Sequence, residues 1–133
     1  PACSSVYVPE EGVIFAGDVV INEAGPGMRE ANYQQWIAAL EWIESLSVEF
    51  VVPGHGEICS LEEVRKFKNT FLEMWGIMEN MLEKGRGKNE ATTDAAFEKF
   101  FWSDTSRGES WIEHRRKTFR RGLENLYAEV RGE

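Results

Sequence analysis

An α/β fold with its strands gathered in the first half is the prediction for this 133-residue chain, and three features make it. Short β-branched and aromatic runs occur near 4–8, 13–21 and 49–52, and none follows. A helix-periodic stretch separates the second run from the third, the order expected of a crossover into a parallel or mixed sheet. From Ser60 onward apolar residues recur at three- and four-residue spacing, the pattern of a helical tail. The expected architecture is a small mixed sheet covered by helices, in one domain with a sheet-forming part over 1–59 and a helical part over 60–133.

Each element has its own warrant. Ser4-Ser5-Val6-Tyr7-Val8 and Val13-Ile14-Phe15-Ala16 flank the turn signal Pro9-Glu10-Glu11-Gly12, which predicts an antiparallel hairpin. The second strand resumes after Gly17-Asp18 as Val19-Val20-Ile21, and Gly17 permits a bulge in mid-strand. Asn22 to Glu30 mixes two Gly and a Pro with polar residues and reads as a loop. Following Asp18 so closely, it is expected to face a substrate through Asn22, Glu23 and Met28. Tyr33, Trp36, Ile37, Leu40, Ile43 and Leu46 predict an amphipathic helix of about four turns after an Asn32 cap.

Glu49 to Val52 is a short buried strand expected to end at Pro53-Gly54, with His55 just beyond it. Ser60-Leu61-Glu62-Glu63 is a capping box that opens a long helix. Leu61, Val64, Phe67, Phe71, Trp75, Met78 and Leu82 form its stripe, Met74 and Met81 widen it, and Gly85-Arg86-Gly87 ends it. A short helix over 93–101 capped by Thr92 or Thr93, a loop over 103–108 and a last helix over 110–130 complete the order.

Charge narrows the function. With 15 basic and 23 acidic residues the chain carries a net charge of -8, which repels phosphate backbones and anionic lipid surfaces. Nucleic acid and membrane are therefore not expected partners. The sequence begins at Pro1 without a signal-peptide pattern, and a strand starts within a few residues, so it is expected to begin inside a larger protein or after a removed leader. The cysteines Cys3 and Cys59 make no Cys-x-x-Cys pair and no disulfide scaffold.

The chemistry-bearing residues stand at two strand ends. Ala16-Gly17-Asp18 and Val51-Val52-Pro53-Gly54-His55-Gly56 each interrupt an apolar run with a metal-capable side chain. A carboxylate and an imidazole suit zinc, manganese or iron, and a carboxylate can bridge two metals. The chain holds only two histidines, His55 and His114, and a catalytic zinc needs about three protein ligands plus water.

Val13 to Val20, a helix, and then Val51 to Gly56 together resemble the second half of the metallo-β-lactamase fold hydrolases, a superfamily that includes glyoxalase II-like thioesterases. The resemblance implies that Asp18 is the ligand bridging two divalent ions, zinc or another, and that His55 is the last ligand of the second. It also implies half of an αββα sandwich. The family's His-x-His-x-Asp-His signature and its further isolated histidine are absent from this sequence. A partial metal-dependent hydrolase domain, inactive alone and completed by a missing N-terminal half, is thus one expectation. The alternative is a non-catalytic structural or binding module whose homodimer replaces the missing half.

Blander readings apply elsewhere. Cys59 lies four positions after His55, yet a small residue before the Ser60 cap explains it better than a metal thiolate. The cluster from His114 to Arg121 is set among Glu109, Glu113 and Glu124, with Glu113 and Lys117 at i,i+4 spacing, which reads as a solvated helix face.

Overall fold

The computed structural model describes residues 4–22 and 32–133. Val6–Val8 (β1) and Val13–Ile21 (β2) form the antiparallel hairpin, pairing Val6 with Phe15, Tyr7 with Ile14 and Val8 with Val13. Pro9–Glu11 makes one 3-10 turn between them, closed by Gly12 in the left-handed region at φ 62°. Past Tyr33–Glu44 (α1), Phe50–His55 (β3) returns parallel to β2, which gives a mixed sheet of order β1-β2-β3. The coarse α/β expectation therefore holds, with helices dominating the second half of the chain.

Two compact units divide the described residues: the first holds 4–22 and 34–71, the second 32–33 and 72–133. In the first unit the pleat decides what is buried, because alternate side chains leave a strand on opposite faces. Ile14, Ala16 and Val51 are fully buried on one face, together with Leu40 and Ile43 of α1 and Val64 and Phe71 of Leu61–Glu83 (α2). Each such side chain contributes about 1.5–3 kcal/mol on burial. Trp36 seals the edge of this core, with its ring centroid 4.8 Å from Phe71 and 6.0 Å from Phe67. Beside it the Glu44 carboxylate, nearly buried, accepts from Lys68 Nζ at 2.5 Å with Arg65 at 3.6 Å, which ties α1 to α2.

The helix α1 has 12 residues, about three turns rather than four. The N–H groups of Ser45 and Leu46 donate to the carbonyls of Trp42 and Ile43, so the chain tightens and leaves the helix before Leu46. The capping box forms as expected: Ser60 Oγ accepts from the Glu62 N–H at 3.3 Å, and the Glu63 carboxylate accepts from the Ser60 N–H at 2.9 Å and its hydroxyl at 2.5 Å. Those bonds hold the Glu63 carboxyl below its usual range. At its other end α2 stops at Gly85, φ 73°, where the Arg86 N–H reaches back to the Met81 carbonyl.

In the second unit Met74, Met78 and Met81 are the buried line of α2, while Trp75 and Leu82 are only half-buried, so the methionines lie at the centre of the stripe and not on its margins. The short helix expected over 93–101 is replaced by Lys88–Thr92 (α3) and a 3-10 segment over Ala95–Phe100. Neither threonine caps it. Thr92 and Thr93 turn their hydroxyls back to the carbonyls of Lys88 and Asn89, and Asp94 supplies the cap by accepting from the Ala96 N–H at 2.8 Å. Glu109–Arg131 (α4) follows and buries Gly122, Leu123, Leu126 and Tyr127. Tyr33, fully buried, donates its hydroxyl to the Gly122 carbonyl at 2.9 Å, and the Glu129 carboxylate accepts from the Tyr33 N–H at 2.7 Å.

Among the described residues no helix is long and apolar enough to cross a membrane.

A candidate half metal centre at the bulged strand pair

The ladder between β2 and β3 is regular only at its start. Val13, Ile14 and Phe15 face Phe50, Val51 and Val52; then Gly17 faces Pro53 and Ile21 faces His55. From Gly17 to Ile21 β2 passes through Asp18, Val19 and Val20 while β3 passes only Gly54. The surplus bulges out of the sheet, and a bulge re-aims the side chains it carries. Asp18 is one of them.

The glycines of Pro53-Gly54-His55-Gly56 explain how β3 fits against that bulge. A Cβ on Gly54 would lie 2.7 Å from the Gly17 carbonyl carbon and 2.8 Å from the Asp18 nitrogen, with Asp18 Oδ1 closer still. Gly56 has φ 91°, and a Cβ there would lie 2.7 Å from the carbonyl carbon of Asn22. The turn thus presses on β2 on both sides of His55. Asn22 completes the clamp, donating its N–H to the His55 carbonyl at 2.9 Å and its side-chain amide to the Glu57 carbonyl at 3.1 Å. His55 is consequently the last residue of β3 and not a residue beyond it, because the close approach carries the strand through Pro53-Gly54.

Two side chains donate to carbonyls along the irregular part of β2. Ser5 Oγ donates to the Ala16 carbonyl at 3.0 Å, and Trp36 Nε1 donates to the Val19 carbonyl at 2.8 Å. Both bonds join residues distant in sequence, so no local pattern announces them. Trp36 was legible as core, and its donor role was not.

The result is that Asp18 Oδ1 and His55 Nε2 stand 3.4 Å apart, with 63% and 66% of their side chains exposed. At that exposure a direct ion pair contributes less than about 1 kcal/mol. As a chelate the spacing is more informative: two donors about 2.05 Å from one zinc at the tetrahedral angle are about 3.3 Å apart. The separation of the pair is thus close in length to one edge of a zinc coordination tetrahedron, and equally to that of an ordinary ion pair. Among the described residues no group of three or more His, Cys, Asp or Glu gathers to hold a metal, so the donor set fits in kind and is incomplete in number.

Of the expected substrate-facing loop, Asn22 serves the clamp and borders a cleft with Glu57, Ile58 and Glu63, while Glu23 and Met28 lie outside the described residues. Cys59 is not at the metal pair. Its backbone exchanges hydrogen bonds with Val51, four residues before His55 and about 13 Å along an ideal strand. Burial, with Glu63 adding to it, pushes its thiol up, against thiolate ligation.

The basic cluster of α4 is occupied by carboxylates. Arg116 holds Glu98 through two nitrogens, Lys117 pairs with Glu113, and Arg120 and Arg121 both reach Glu124. His114, exposed, lies beside Trp111 on the same helix.

No protein-family model matches this chain, and no curated protein matches it at a significant level.

Proposed function

We propose that this chain carries one half of a metallo-β-lactamase-like hydrolase centre, in which Asp18 is the bridging ligand and His55 the last ligand of a divalent-metal site. The observation that carries the reading is the 3.4 Å separation of the two donor atoms, set by backbone packing at the glycines and exposed to incoming ligands. Structural ion pairs of this kind need no glycine-enforced approach of two strands. A divalent ion held by Asp18, His55 and further ligands would supply Lewis acidity and activate a water there. Asp18 and His55 would position that ion, and because two donors do not complete its coordination, hydrolysis requires donors from a complementary segment with the His-x-His-x-Asp-His pattern.

Metal titration tests the ligand assignment. Added zinc shifts the His55 ring resonances of the purified chain, and Asp18→Ala weakens that response; zinc binding that is unchanged in both Asp18→Ala and His55→Ala refutes it. The reading frame ahead of Pro1 tests the ancestry. An in-frame His-x-His-x-Asp-His is the expected result, and its absence refutes the half-enzyme reading while leaving the ligand pair to be judged by titration.

A further inference from the structure

Among the described residues, the sheet face opposite the buried one leaves a run of apolar side chains in water, bordered at Phe50 and Ile58 by Glu49, Glu57 and Glu63. Strand pairing lays Val6, Phe15 and Val52 in one row and Val8, Val13 and Phe50 in the next. Ile58 lines one cleft with Phe50 and extends the patch past the second row. Val6 is 60% exposed, Phe15 49%, Phe50 50% and Ile58 63%, whereas Val8, Val13 and Val52 are half-buried.

We propose that a second copy of this chain covers this face, forming a homodimer by sheet-on-sheet packing. Area is the first argument. The four most exposed of the seven side chains, each about half or more in water, together leave a patch of a few hundred Å², the size that often marks an interaction site. A standard interface buries about 800 Å² per partner, of which roughly 60% is apolar, so the face supplies much of the apolar part of one such interface.

Shape is the second argument, and it singles out an identical partner. The large residues Phe15 and Phe50 sit on a diagonal, because Phe15 pairs with Val52 and Val13 pairs with Phe50. A twofold axis in the interface that passes midway between these four residues, whether along the strands or across them, sets each Phe of one copy against a Val of the other. Facing large against small is the arrangement that lets two layers interdigitate.

The rim is acidic, with Glu10 and Glu11 in the β1–β2 turn, Glu49 beside Phe50 and Glu57 beside Ile58. Two such rims repel, and salt screens the repulsion. Association therefore strengthens as salt is added, whereas a partner with a basic rim would be released. The proposal does not depend on the metal-site reading: Asp18→Ala and His55→Ala leave the dimer intact while altering zinc binding.

Sedimentation equilibrium of the full chain at tens of micromolar, in low and in moderate salt, tests it. The expected mass is two chains, with a larger dimer fraction at higher salt. Phe15→Lys combined with Phe50→Lys reduces it to one chain, and Trp42→Lys, which changes an exposed residue on α1, does not. A one-chain mass for the unmodified protein in both salts overturns the proposal and points to a different partner on this face. A two-chain mass that survives the double substitution overturns it too. Should the double variant fail to fold, isotope-filtered NOEs between labelled and unlabelled copies at the Phe15 and Phe50 rings decide: their presence supports the dimer and their absence overturns it.

Discussion

Alanine at Gly54 places a methyl carbon where the Gly17–Asp18 peptide already runs, 2.7 Å from one backbone atom and 2.8 Å from another. Ordinary contact begins near 3.4 Å, so β3 must retreat from the bulge by more than half an ångström; the Asp18 side chain can swing aside, but the two backbone atoms cannot. Forcing one methyl into a packed backbone site costs about 1–3 kcal/mol. For a chain of this length 2 kcal/mol lowers the thermal midpoint by roughly 8 °C. Retreat also moves His55 away from Asp18, and disturbing the support of a ligand weakens metal binding by about tenfold or more. Gly76 is the matched control: it lies within α2, and a Cβ there meets nothing within 4 Å. Gly76→Ala should stabilise by about 1 kcal/mol, because glycine carries the larger backbone entropy loss in a helix. Urea denaturation followed by circular dichroism, paired with zinc titration, measures both. Equal midpoints for Gly54→Ala and the unmodified chain, with zinc affinity unchanged, would refute the backbone account of the site.

Other outcomes follow from single bonds. Tyr33→Phe removes the buried bond to the Gly122 carbonyl and should cost about 1–3 kcal/mol in denaturant midpoint. Burial, with Glu129 adding to it, raises the Tyr33 hydroxyl well above its ordinary pKa near 10. Its neutral form therefore stabilises the fold fully below pH 10, and this contribution is lost as pH rises beyond that; ultraviolet titration should show Tyr33 ionising only with unfolding. The sign is opposite for Glu63, whose depressed carboxyl stabilises above the ordinary carboxylate range and is lost as pH falls through its folded value. Ser60→Ala should cost about 1 kcal/mol at neutral pH and flatten that acid dependence, measured by denaturation at pH 7 and pH 3. Trp36→Phe keeps most of the aromatic packing but strands the Val19 carbonyl, and a loss of about 1–3 kcal/mol is expected by the same assay.

The parts of this fold legible in sequence are those fixed by neighbours along the chain. Pro9 to Gly12 and its flanking valines specify the hairpin locally, and Ser60 with Glu63 specify the start of α2. Asp18 and His55 were legible as a pair because each sits beside a glycine that interrupts an apolar strand. The 3.4 Å between them was not, since it depends on how many residues β2 takes to pass Gly54. Ser5, Asn22 and Trp36 were missed as supports because their partners lie 11 to 35 residues away. α3 is too short, at five residues, to display a periodic stripe. The threonines beside it invite a cap reading, which fails because their hydroxyls find the carbonyls one turn back.

The clamp around His55 also separates what holds the site from what would use it. Asp18 and His55 project into solvent and bear little of the fold's stability, so either residue is free to change without unfolding the protein. Gly54 and Gly56 have no such freedom, since their neighbours leave no room for a side chain. A descendant in which the pair served no purpose would be expected to lose the aspartate and the histidine first, and to keep the two glycines as the imprint of an arrangement that had gone.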